Sequence, residues 1–229
     1  MKKNLLKRII TSFFLLSILM IVNFSHQFIF ILSILTLGLV VCYEANNIFS
    51  RLIKSNSSNN NVINNKLNLK FLLLNVFSFF YVFFIFCQYS YEIHKVEGPI
   101  FFIYIVSICF FTDIGGYAFG KTIGGKKLTK ISPNKTISGT IGSFIASILP
   151  LILFVNLEYL DLKVDINNIF FCLTISLISQ LGDLFVSYFK RKAKIKDTGK
   201  ILPGHGGLLD RVDGIIFAVP FSYFLINLI

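Results

Sequence analysis

The sequence predicts an all-α, polytopic integral membrane protein of about seven transmembrane helices with a cytoplasmic N-terminus. Three observations carry that expectation. The 229 residues are 55% hydrophobic and only 14% charged, with a mean hydropathy of +0.74, well outside the range of ordinary soluble domains. Apolar runs of roughly spanning length recur at 9–24, 28–43, 71–88, 99–112, 137–155, 167–189 and 214–229. If the N-terminus is inside, the N-terminal arm and loops 44–70, 113–136 and 190–213 hold twenty of the twenty-two Lys and Arg, leaving Lys95 and Lys163 outside. The outer loops carry Glu92, Glu97, Glu158, Asp161 and Asp165 instead.

The first run follows Lys2, Lys3, Lys7 and Arg8 as a signal peptide would, but no small-x-small cleavage site precedes the second run, so it is expected to be a retained anchor. Loop 44–70 contains "SNSSNNNVINN" at 55–65, a low-complexity stretch expected to act as a cytosolic linker. We divide the chain into N-terminal transmembrane helices (1–98) and a catalytic transmembrane region (99–229). Cys42, Cys87, Cys109 and Cys172 sit singly inside apolar runs, which points to small core residues and away from disulfides or a thiolate metal site. The net charge of +11, gathered on one face, suits anionic lipid headgroups or a polyphosphate. Without a basic helix, a zinc pattern or a folded cytosolic module, nucleic-acid binding is not indicated.

"GGYAFGKT", Gly115 to Thr122, formally satisfies the phosphate-cradling pattern G-x-x-x-x-G-K-[ST]. That motif needs a preceding strand and a surrounding α/β sheet, whereas here it ends a spanning apolar run. The P-loop reading is therefore rejected, although Lys121 and the glycines remain able to approach phosphate from another fold. Gly124 and Gly125 read equally well as a turn leaving the membrane.

The sixth run carries Ser176, Gln180, Asp183, Ser187 and Lys190 at spacings of three or four residues, so on a helix they share one face. At ~1.5 Å rise per residue Asp183 lies about 10 Å below the basic loop that begins at Lys190. A carboxylate there faces a polar cavity rather than lipid. In "KDTGKILPGHGGLLDRVDG", Lys196 to Gly214, Asp210 and Asp213 stand three residues apart at the mouth of the last apolar run. Singly, each is explained by helix capping or by pairing with Arg211. Three carboxylates together repel unless a cation compensates, and hard divalent ions prefer oxygen ligands, so a Mg²⁺ site opening onto the basic face is the economical inference. Such a site beside lysines points to phosphoryl or nucleotidyl transfer, in which an ionised phosphate nucleophile requires no general base.

The same residues resemble the phosphatidate cytidylyltransferases, also called CDP-diacylglycerol synthases. The resemblance rests on Ser187, Lys190, Arg191, Lys196, Asp197 and Gly199, followed by "PGHGGLLDRVD" from Pro203 to Asp213. "SQLGDLFVSYFKR" (Ser179 to Arg191) and "DIGGYAFGKTIGGKKLTKISPNKT" (Asp113 to Thr136) match the family's other blocks, so about the C-terminal half is covered. Members of the family are longer, and the N-terminal half here looks abbreviated beside them.

The resemblance implies transfer of CMP from CTP to phosphatidic acid, giving CDP-diacylglycerol and pyrophosphate in phospholipid biosynthesis. It implies catalytic roles for Asp183, Asp210, Asp213, Lys190 and Arg191, with the three aspartates holding Mg²⁺ and a monovalent cation such as K⁺ nearby. Substrate contacts would fall on Lys135, Thr136, Ser187, Lys196, Asp197, His205, Gly206, Gly207 and Arg211. The expected partners are CTP, phosphatidic acid and membrane lipid, with a homodimer left open. The expected location is a bacterial inner membrane, with the active site on the cytoplasmic side. Two other readings were weighed. A CDP-alcohol phosphotransferase needs D-G-x-x-A-R and G-x-x-x-D-x-x-x-D, which this chain lacks. A transporter using Asp183 as a proton or cation site gives no reason for the "KDTGKILPGHGG" loop.

Overall fold

The computed structural model describes residues 2–56, 61–129, 131–133, 135–158, 160–199, 201–202 and 206–228, apart from the side chains of 2–10, 12, 54–56 and 61–67. Among the described residues every regular element is helical: α1 (Lys2–Asn23), α2 (Gln27–Asn56), α3 (Asn61–Phe80), a π-helical stretch (Tyr81–Cys87), α4 (Gln88–Val96), α5 (Pro99–Thr122), α6 (Ile137–Ala146), α7 (Leu149–Asn156), α8 (Ile166–Lys192), α9 (Leu209–Val212) and α10 (Ile215–Ile226). Among the described residues, two isolated β-bridges, Lys127 with Thr136 and Leu202 with Gly206, break the helical pattern.

The helical class matches the sequence. Among the described residues, five helical stretches are long and apolar enough to cross a membrane: Gln27–Ile53, Asn68–Val96, Pro99–Thr122, Ile137–Asn156 and Ile166–Lys192. Of the last expected run, α10 has 12 residues, about 18 Å of helix against a hydrocarbon core of ~30 Å; of the first, α1 is a helix of 22 residues whose described stretch Phe13–Asn23 is apolar. Outward-facing Phe77, Phe84, Ile114, Ile141 and Leu181 fit a hydrocarbon surrounding, as a multi-pass membrane protein requires. Of the expected linker 55–65, residues 55–56 end α2 and 61–65 begin α3; 57–60 lie outside the described residues.

The chain divides into two compact units. The first comprises residues 1–88 and 189–212. In it α2 packs on α3 and the π-helical stretch, with Phe30, Val41, Ile48, Val82 and Phe86 buried. Gly38 makes this packing close, since a Cβ there would stand 3.1 Å from Val82 and 3.2 Å from Cys87.

The second unit comprises residues 89–188 and 213–229. Its core holds Tyr104, Ile105, Ile108, Leu151, Ile175 and Val219. Here α5 lies against α6 through small residues: a Cβ on Gly116 would reach 2.6 Å from Ser143 Oγ, and one on Gly139 would reach 2.8 Å from the Gly116 carbonyl. Small residues at helical spacing let membrane helices approach this closely. The glycines of "GGYAFGKT" are thus spent on helix packing, with α5 running to Thr122 and shortening the expected 113–136 loop. Gly124 (φ +65°) and Gly125 (φ +110°) form the turn that follows.

Gly142→Ala tests this packing, because the added methyl overlaps Phe119 on α5. We expect a loss of about 1–3 kcal/mol, read as a lowered thermal midpoint in detergent. Ile141→Ala, one residue away on the exposed side, should leave the midpoint nearly unchanged.

Candidate active site

In the second unit, the polar stripe of α8 finds partners. Ser176 is fully buried and accepts hydrogen bonds from Thr112 Oγ1 on α5 (3.0 Å) and Gln180 Nε2 (3.3 Å). About two turns beyond Ser176, Asp183 is paired with Lys135 Nζ at 2.5 Å, and its Oδ1 accepts from Ser187 Oγ at 3.2 Å. The position of Lys135 is set by the structure around it. Thr136 caps α6 by accepting from the Gly139 amide (3.1 Å), while Leu128 N donates to the Lys135 carbonyl (2.8 Å) and Ile137 N to the Lys126 carbonyl (3.0 Å). Ser138 Oγ donates to the Gly124 carbonyl and closes the loop onto itself. The result is a lysine delivered to a carboxylate that would otherwise be costly at membrane depth.

Asp213 stands in the turn into α10. Its Oδ1 accepts from the Gly214 amide at 3.0 Å and its side chain is buried. Gly182, immediately before Asp183, permits a close approach, because a Cβ there would lie 2.9 Å from the Asp213 carbonyl oxygen. Gly214 does the same from the other side, against Ser179.

In the first unit, Lys190 and Asp210 form a second pair at 2.8 Å, with side chains only 10% and 9% exposed. Asp210 Oδ2 also accepts from the amides of Thr198 (2.8 Å) and Gly207 (3.0 Å) and from Thr198 Oγ1 (3.1 Å). Burial by itself pushes the Asp210 carboxyl up; the Lys190 hydrogen bond and charge, with the Thr198 and Gly207 amides, outweigh it and hold Asp210 below its ordinary value. Gly206, at φ +89°, turns the chain here, and a Cβ on it would stand 2.9 Å from Asp210 Oδ2.

Sequence reasoning missed one residue of this cluster. Glu44, the first residue of the expected 44–70 loop, lies inside α2 and is fully buried. Its Oε1 accepts from Leu208 N (3.1 Å), and its Oε2 from Leu209 N (2.8 Å) and Thr198 Oγ1 (2.8 Å). The signal was available, since a lone acid in "LVVCYEANNIF" invites the argument applied to Asp183.

The remaining expected site residues are placed more openly. Arg191, Lys196, Asp197 and Arg211 are exposed; Ser187 is buried, and Gly206 and Gly207 belong to the Asp210 turn. His205 lies outside the described residues. Carboxylate oxygens suit a hard cation in chemistry. Among the described residues, however, no group of three or more His, Cys, Asp or Glu side chains is placed to hold a metal ion. Lysine ammonium groups stand at two of the three carboxylates.

Comparison with known proteins agrees with the residues. A family model described as the cytidylyltransferase family matches residues 48–229. Over 132 residues the chain is 44% identical to a phosphatidate cytidylyltransferase of Rickettsia bellii (strain RML369-C), covering 55% of each chain. It is 45% identical over 129 residues to the protein of that name from Staphylococcus aureus (strain COL), covering 55% of this chain and 48% of that one. For the Bacillus subtilis (strain 168) protein the figures are 39% over 144 residues, 62% and 53%. The chain thus spans about half the length of the curated relatives it matches.

The Asp210 cluster makes a prediction about acid. A carboxyl whose folded pKa is depressed stabilises the fold above its unfolded pKa, ~3.9 for Asp, and loses that contribution as pH falls through the lower folded value. The thermal midpoint of the wild type should therefore drop below about pH 4. Asp210→Asn should start lower at neutral pH and lose less in acid. Equal acid slopes for the two proteins would show that the pair adds no pH-dependent stability.

Proposed function

Because the chain belongs to the cytidylyltransferase family, we propose that it transfers CMP from CTP to phosphatidic acid, giving CDP-diacylglycerol and pyrophosphate. The observation that carries this reading is that Lys190, Thr198 and Gly207, all within the signature stretch, converge on Asp210, whose side chain is 9% exposed, instead of forming a plain connector. In the reaction a phosphate oxygen of phosphatidic acid attacks the α-phosphorus of CTP. The bond from that phosphorus to the bridging oxygen breaks, and pyrophosphate carries the electron pair away. The nucleophile is ionised at neutral pH, so the protein's task is to orient two anions and offset their charge.

Lys135 and Lys190 suit that task, because each is a single ammonium held at a known point by a carboxylate. Arg191, exposed one residue beyond Lys190, offers a bidentate fork to a substrate phosphate. Ser187, Thr136, Lys196, Asp197, His205, Gly206, Gly207 and Arg211 are assigned to substrate contacts on the resemblance. Asp183, Asp210 and Asp213 are the residues we assign to Mg²⁺, which when bound would supply positive charge to the transferring phosphoryl group, with a monovalent cation such as K⁺ beside it. The bias of basic residues supports a cytoplasmic N-terminus, a cytoplasmic site and an inner-membrane location.

The test is CTP-dependent conversion of phosphatidic acid by the purified chain in detergent, with Mg²⁺ titrated. Asp183→Asn, Asp210→Asn and Asp213→Asn should each keep the folded yield and lose most turnover or need far more Mg²⁺. Their effects should be strongly non-additive, as for residues that act as a unit. Solute flux without CTP turnover would favour a transporter; wild-type metal dependence in all three variants would remove the metal assignment.

Orientation is tested separately. In a cysteine-free background, Lys127→Cys should resist impermeant thiol reagents in intact cells and react once the membrane is opened. Labelling in intact cells would reverse the topology.

A further inference from the structure

Glu44 is the one fully buried carboxylate among the described residues, and it lies within an apolar candidate span, Gln27–Ile53. At ~1.5 Å per residue it sits about 25 Å along α2 from Gln27, near the far edge of the hydrocarbon. A carboxylate placed there is costly unless it is fully hydrogen-bonded, and acids retained in such segments mark function by default. Glu44 has its bonds, and all the described donors belong to the loop that carries the family signature: Thr198 Oγ1, Leu208 N and Leu209 N.

The pattern of donors is what gives Glu44 a role. Three successive amides face carboxylates: Gly207 N donates to Asp210 Oδ2, Leu208 N to Glu44 Oε1 and Leu209 N to Glu44 Oε2. The single hydroxyl of Thr198 lies between the two acids, 2.8 Å from Glu44 Oε2 and 3.1 Å from Asp210 Oδ2. It has one proton to give, so its orientation ties one carboxylate to the other. The glycines complete the fit. A Cβ at Gly199 would stand 2.5 Å from Glu44 Oε1, and one at Gly207 would overlap both Thr198 Oγ1 and Glu44. The loop therefore closes on the Glu44 carboxylate as on a template.

We infer that Glu44 is a positioning residue: through Thr198 and the Leu208 and Leu209 amides it fixes the turn that presents Asp210 to Lys190. It touches neither substrate nor reacting atom. Its consequence for turnover rests on the cytidylyl-transfer reading above; its hold on the loop does not.

The experiment uses the full chain in detergent. Glu44→Gln keeps the shape but replaces one acceptor oxygen with an NH₂ donor, which in either orientation faces a backbone N–H. Hydrogen exchange at Leu208 and Leu209 should accelerate at least about tenfold, with the global thermal midpoint little changed. CTP-dependent kcat should fall by roughly 10–100-fold, the size expected when a reacting group is misplaced by about an ångström. Thr198→Val should reproduce part of the loss, Thr198→Ser should restore it, and Glu44→Gln with Thr198→Val should be no worse than Glu44→Gln alone. Unchanged exchange and unchanged kcat in Glu44→Gln would overturn the inference. So would losses that track folded yield or that add in the double variant. If the wild type shows no CTP turnover but Glu44→Gln still releases the two amides, the template survives and the reaction assignment fails.

Discussion

A carboxylate beside hydrocarbon must be given a cation or a full set of donors, and the local backbone at Lys135, Thr198 and Gly207 meets that requirement. Asp183 obtains Lys135 and Ser187; Asp210 obtains Lys190 and two amides; Glu44 obtains two amides, and the one Thr198 hydroxyl proton lies between Glu44 and Asp210. Each solution constrains the backbone more tightly than apolar packing would, because hydrogen bonds to charged groups weaken steeply with distance and angle. The cap at Thr136 and the bridge between Lys127 and Thr136 fix Lys135. The Gly206 turn likewise has its geometry set by the oxygen it approaches.

The helical class and the shared helix of the stripe on α8 are legible in the sequence, because period and polarity are local properties. Helix ends are not. Hydropathy finds the last apolar run, but the length of Ile215–Ile226 depends on where that helix stops. "GGYAFGKT" shows the converse case. Its spacing mimics a phosphate loop, and its glycines act in α5 as contact points for Gly139, Gly142 and Ser143. Glu44 shows a third case: the lone acid is visible in the sequence, but its donors are 154 to 165 residues away, and only the fold brings them together.

Lys190 shows why charge counting alone cannot separate topology from function. It belongs to the run Lys190, Arg191, Lys192, Lys194 and Lys196, all of which would hold this end of α8 at the membrane face. Arg191, Lys192, Lys194 and Lys196 are exposed, where screening leaves little more than that bias. Lys190 is 8% exposed and bonded to an acid that is itself bonded to two amides. Removing its charge would leave Asp210 buried and uncompensated, a loss of several kcal/mol where its neighbours would lose tenths. One turn of helix therefore holds both kinds of charge, and burial, not residue type, tells them apart.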